Sequence, residues 1–176
     1  RSREHSQNLK DKDIKIIGTY LPQSGSDLPA VSAEVYSIFN NKDIIGIIDM
    51  GGNSVGSLAF ATFREYVQTD ETDVFFVLNA NRKENSTFEL ALGHLISIEA
   101  ILTLNVTGII NNTHLMNDTS AEDIIRGEEI AEKLSKEKNI DVICSCVNSN
   151  LIKQNIKTKY QLFNIEYDIK NIGNVV

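Results

Sequence analysis

No run of eighteen apolar residues interrupts the 176-residue chain, so no stretch of it is long enough to cross a bilayer as a helix. With only two prolines and no Pro/Gly-rich or low-complexity segment, no linker marks a second domain. There are two cysteines, Cys144 and Cys146, which excludes a disulfide framework and fits a reducing cytoplasm. Their i, i+2 spacing places them on one face of a strand, a poor geometry for a mutual disulfide. Without a second pair or a histidine near them in sequence, they read as small interior residues rather than a soft-metal site. The sequence lacks a G-x-S-x-G elbow, so a serine-nucleophile site is not indicated. It also lacks G-x-x-x-x-G-K-[ST], so no complete phosphate cradle is visible. The three histidines His5, His94 and His114 form no metal-binding spacing, and His94 reads as a structural or partly exposed helix residue.

What is present is an ordinary globular composition, 41% hydrophobic and 23% charged, in a length that suits one α/β domain over 1–176 with a core of its own. The net charge of −7 argues against a nucleic-acid backbone as the main partner, and Lys153, Lys157 and Lys159 read as a solvated face. Asn85, Asn105, Asn111 and Asn117 stand in N-x-[ST] sequons, which an Asn-rich chain collects by chance. The chain opens on Arg1, and its methionines are Met50 and Met116, so a native start upstream, or one removed by processing, is expected.

Strand-like and helix-like segments alternate. Strands are expected at Ile14–Tyr20, Ile44–Ile48, Val74–Leu78, Val106–Ile110 and Val142–Val147, with another near Leu162–Tyr167. Helices are expected after Pro29 to about Phe39 and from Ser54 to about Gln68. Others are expected after Ser86-Thr87-Phe88-Glu89, after Thr119-Ser120-Ala121-Glu122 and, briefly, near Leu151–Lys157. The alternation predicts an α/β fold with a mostly parallel sheet and helices on both faces. Ligands of such sheets sit beyond the C-terminal ends of the strands.

Three strand ends attract attention. Ile44–Ile48 leads into Asp49-Met50-Gly51-Gly52, where a carboxylate could hold a cation and glycines could let backbone N–H groups approach an anion. An ordinary strand-to-helix turn, capped by Asn53 or Ser54, explains it equally well. Gly108-Ile109-Ile110-Asn111-Asn112-Thr113 brings an asparagine whose amide could pair with an adenine edge, or simply form a turn. Asn79-Ala80-Asn81-Arg82 offers an arginine for phosphate, or a surface arginine.

Taken in order, strand–Asp-x-Gly-Gly–helix, strand–Asn-x-x-Arg–helix and strand–Gly-x-x-x-Asn–loop–helix resemble the deviant P-loop ATPases of the MinD/ParA and CobQ/CobB group. Arg1-Ser2-Arg3-Glu4 and the Ser26–Ala30 stretch add to the likeness. The resemblance covers nearly the whole chain but only the later part of such a domain, an incomplete P-loop NTPase-like (SIMIBI-type) unit without the Walker A strand, loop and helix. It implies Mg²⁺ at Asp49, γ-phosphate sensing at Gly51 and Gly52, adenine contact at Asn112 and phosphate contact at Arg82. The implied cofactors are ATP and Mg²⁺, with output as a nucleotide-dependent switch or an ATP-dependent synthase. Without the cradle lysine this chain alone is not expected to be a competent ATPase. The absent strands would leave a sheet edge that a second copy or the chain's own tail is expected to mask. Two rivals stay open: a standalone α/β interaction module without nucleotide chemistry, and a flavodoxin-like or Rossmann-type binder.

Overall fold

The structure is a computed structural model that describes residues 14–17, 33–51, 60, 63–67 and 69–166. The described residues fall into two compact units, one within Arg1–Thr72 with Ile101–Thr103, the other within Asp73–Ala100 with Leu104–Val176.

In the first unit a 3₁₀ turn, Ala33–Val35, runs into the short helix α1 (Tyr36–Asn40), within the helix expected there. Aromatic side chains organise this unit. Tyr36 meets Phe63 and Tyr66 edge-on at 5.1 and 5.0 Å, and Phe39 stacks on Phe63 at 5.9 Å. Arg64–Tyr66 forms a 3₁₀ turn inside the span expected as the Ser54–Gln68 helix, of which residues 54–59, 61, 62 and 68 lie outside the described residues.

Ile44–Ile48 does not form the expected strand. Ile45 is 95% exposed and Ile47 89%, so the run is not covered on both faces. Apolar periodicity supplies one condition for a strand; a neighbouring strand to pair its N–H and C=O groups is the other. Here Gly46 instead lies so close to Ile38 that a Cβ at this position would overlap the Ile38 side chain. Ile14–Tyr20 likewise shows no strand at 14–17, and 18–20 lie outside the described residues.

The second unit is the α/β fold that the alternation predicts. Four strands, β1 (Phe75–Leu78), β2 (Gly108–Asn111), β3 (Asp141–Asn148) and β4 (Leu162–Ile165), form an all-parallel sheet in the order β1-β2-β3-β4. The crossovers contain α2 (Phe88–Leu102), α3 (Ala121–Lys138) and α4 (Ser149–Lys153). Thr87 caps α2, its Oγ1 accepting the Leu90 N–H at 3.3 Å, one residue later than the expected box at Ser86. Ser120 caps α3 through a reciprocal box with Asp123, and Asn139 ends it in the left-handed conformation at φ 53°.

Strands added in one direction through right-handed crossovers place their helices on one side of a sheet. Accordingly Ala91 and Leu95 of α2 and Ile130, Ala131 and Leu134 of α3 share one core with Phe76, Leu78 and Ile109. Of the helical layers expected on both faces, these two lie on the same face. The opposite face carries Phe75, Val77, Ile143 and Phe163, which are 47, 54, 44 and 59% exposed. Gly108 lies between the first and third of these; a Cβ there would sit 2.9 Å from Ile143 Cδ1 and 3.2 Å from Phe75 Cδ1.

Candidate functional site at the strand ends

The loops leaving β1 and β2 are tied together side by side. Asn112 N–H donates to the Leu78 carbonyl at 2.8 Å, and Ala80 N–H donates to Thr113 Oγ1 at 3.0 Å. The Asn79 amide then bridges the loops: its Nδ2 donates to the His114 carbonyl at 3.3 Å, and its Oδ1 accepts the His114 N–H at 3.4 Å. The same Oδ1 accepts the Asn81 N–H at 3.0 Å, an Asx-turn that bends the β1 loop outward. Between the loops lies a cleft of about 320 Å³ lined by Asn79, Asn81, Arg82, His114, Leu115 and Met116. It lies beyond the C-terminal ends of adjacent parallel strands, where α/β sheets bind ligands.

Beneath the cleft runs a chain of buried polar groups. Thr113 Oγ1 donates to Asn111 Oδ1 at 2.8 Å. Asn111 Nδ2 donates to the Ile124 carbonyl at 3.0 Å and to Ser145 Oγ at 3.2 Å. Ser145 Oγ donates to Glu128 Oε1 at 2.7 Å, and Glu128 Oε2 accepts the Lys159 N–H at 2.9 Å. Asn111, Thr113, Ser145 and Glu128 are all buried. The chain of bonds satisfies them and fixes the ends of β2 and β3 against α3. Gly127 makes the close approach of α3 feasible: a Cβ there would overlap Asn111 Oδ1 and Thr113 Oγ1.

The electrostatics of the cleft are positive. Arg82 is exposed, and among the described residues its guanidinium makes no hydrogen bond or ion pair. Arg126, by contrast, is engaged: it donates to Asn81 Oδ1 and pairs with Asp123 at 3.1 Å. Asp123 is held below the usual carboxylate range, first by the Ser120 backbone N–H, and further by the Ser120 hydroxyl and the Arg126 charge. Burial, and then the positive charge of Arg82, push the His114 imidazole below its ordinary value. His114 Nδ1 accepts the Met116 N–H at 3.3 Å, which places the proton of the neutral ring on Nε2.

A pH dependence follows. Because the folded state disfavours protonated His114, the unfolded chain binds that proton more readily. The contribution of His114 to stability is therefore complete above the ordinary value of 6.5 and is lost as the pH falls from there through the lower folded value. Urea midpoints measured between about pH 7.5 and about pH 5, which bracket the ordinary histidine range, should fall more steeply for the parent chain than for His114→Gln. Parallel curves would remove His114 as the cause.

The expected site residues divide between the units. Arg82 lines the cleft, and Asn112 belongs to one of its two loops, although the Asn112 Oδ1 is buried and without a hydrogen-bond partner among the described residues. The residue that ends β2 is Asn111, whose amide belongs to the buried chain of bonds. Asp49 and Gly51 are exposed residues of the first unit, not the end of a buried strand, and Gly52 lies outside the described residues. Among the described residues no three or more His, Cys, Asp or Glu side chains come together as a metal site. One carboxylate at Asp49 could at most contribute to a Mg²⁺ held mainly by phosphate and water.

Cys144 and Cys146 are free and half-buried, and burial together with the neighbouring Cys144 pushes the Cys146 thiol up to about 11. His94 is structural, its Nδ1 2.8 Å from Asn85 Oδ1 and its ring edge-on to Phe76. Burial also closes the sequons at Asn85 and Asn111. His114, Leu115 and Met116 were not indicated by any motif. The one available signal was the shared Asn-x-Asn and Asn-x-Thr pattern at the two strand ends, Asn79–Asn81 and Asn111–Thr113. Among the described residues no helix is long and apolar enough to cross a membrane. No protein-family model, curated protein or solved structure matches the chain.

Proposed function

We propose that the chain binds a phosphorylated small molecule, a nucleotide such as ATP foremost, in the cleft beyond β1 and β2. The observation that carries the proposal is Arg82, a guanidinium without a partner among the described residues, at the mouth of a cleft otherwise lined by amides, a histidine and two apolar side chains. An arginine fork matches phosphate oxygens bidentately, and Asn79 and Asn81 form the polar wall beside it.

Membership of the MinD/ParA and CobQ/CobB group would add Mg²⁺ at Asp49, γ-phosphate contact at Gly51 and Gly52, and adenine contact at Asn112. Its support is the order of motifs along the sequence. The output in the intact protein would be a nucleotide-dependent switch or an ATP-dependent synthase. The free thiols of Cys144 and Cys146 support a cytoplasmic setting, and the uncovered sheet face supports self-association.

Thermal melts with ATP, ADP and AMP in Mg²⁺ test the proposal. Ligand that binds only the folded chain raises the melting temperature with concentration. A rise is expected with each of the three and not with adenosine; no rise with any phosphorylated ligand would overturn the proposal.

A second function, that of an interaction module without nucleotide chemistry, is favoured by the exposed Phe75, Val77, Ile143 and Phe163. It predicts no nucleotide-dependent rise and partner binding that tolerates Asp49→Ala.

A further inference from the structure

Resting on the proposed binding of a phosphorylated ligand, we infer that the β1–β2 cleft takes the phosphate directly on Arg82, without a bridging divalent cation. Among the described residues no Asp or Glu lines the cleft. Among its described lining residues the formal charge is the Arg82 guanidinium, because His114 is held toward the neutral form. The carboxylate linked to the cleft through Arg126 and Asn81 is Asp123, and it is already engaged. Asp123 Oδ2 accepts the Ser120 N–H and hydroxyl at 3.0 Å each, and its Oδ1 faces Arg126 at 3.1 Å.

A divalent cation entering here would meet the Arg82 charge and find no carboxylate to replace its tightly held water. A phosphate dianion meets the opposite situation. Arg82 attracts it, and no carboxylate among the described lining residues repels it. Arg126 acts as a positioning residue: neutralised by Asp123, it holds the Asn81 amide at the cleft rather than contacting the anion. The site therefore differs in kind from one in which Mg²⁺ bridges protein and phosphates. Magnesium is expected to weaken binding slightly, by masking ligand charge that Arg82 would otherwise meet.

Isothermal titration of the whole chain with ADP, and with inorganic phosphate, in EDTA and in Mg²⁺ tests the inference. ADP is expected to bind in EDTA at least as tightly as in Mg²⁺. Arg82→Ala should weaken it by about tenfold or more, the loss of a charge-assisted hydrogen bond. Arg82→Lys should fall between, keeping the charge without the fork. Lys83→Ala, an equal change of net charge at the adjacent exposed residue that does not line the cleft, should bind as the parent does. Arg82 is exposed, so its replacement leaves the core intact, and unchanged circular dichroism of the variants verifies this. Binding that requires Mg²⁺ but is lost in Arg82→Ala overturns the inference while leaving phosphorylated-ligand binding in the cleft in place, whereas binding indifferent to Arg82→Ala overturns the inference and moves the ligand away from the cleft. Absence of binding in both buffers removes both.

Discussion

Gly127→Ala is expected to destabilise the second unit by about 2–5 kcal/mol, the sum of overpacking and the loss of buried hydrogen bonds. Helix propensity alone predicts the opposite sign, because alanine is better than glycine inside a helix by about 1 kcal/mol. The difference comes from what lies against α3. A Cβ at Gly127 would overlap Asn111 Oδ1 and Thr113 Oγ1 and stand 2.9 Å from Asn111 Cγ. Asn111 cannot retreat easily, since its Nδ2 is committed to the Ile124 carbonyl and to Ser145 Oγ. Either the helix moves away, opening the core around Ile130, Ala131 and Leu134, or the bonds under the cleft break. Chemical denaturation of the two proteins decides the matter. Equal or greater stability of Gly127→Ala would mean that α3 does not approach β2 as described.

Asn111→Asp should be nearly as costly, about 2–4 kcal/mol, although it changes almost no volume. The substitution replaces a donor by an acceptor opposite the Ile124 carbonyl and removes the bond given to Ser145 Oγ. It also introduces a carboxylate into a site with no solvent access, along the same chain of bonds as the buried Glu128. Protonation of the new carboxyl would relieve part of the cost, so the variant should regain stability relative to the parent as the pH is lowered toward 5 (about one unit above the free carboxylate range). A variant as stable as the parent at pH 7 would show that the Asn111 amide does not hold β2 to α3.

Much of the second unit was legible in the sequence because its signals are local. Phe75–Leu78 lies within a continuous apolar run, Ile109 and Ile110 form the apolar centre of β2, and Ser120 with Asp123 announces the start of α3. Ile44–Ile48 carries the same apolar signal, yet pairing is a property of two strands, and a sequence run does not state whether a partner stands beside it. The side on which a helix packs depends on strand order, which here runs consecutively from β1 to β4 and puts α2 and α3 on one face. At the site, the Asn79–Arg82 stretch was visible at a strand end. Of the two adjacent asparagines, the family resemblance implies Asn112 as the contact; the register pairs Leu78 with Asn111, which is buried. His114, Leu115 and Met116 reach the cleft only because Asn79 staples the two loops together, a contact between residues 35 apart along the chain. No spacing rule along the sequence encodes it.

The most direct test of the strand-end site is hydrogen exchange of the whole chain with and without ADP. Slowed exchange is predicted in the loops 79–82 and 112–116, where a phosphate bound at Arg82 would close the cleft. Slowing confined to 45–51, with both loops unchanged, would contradict the account and move the binding site to the Asp49 segment.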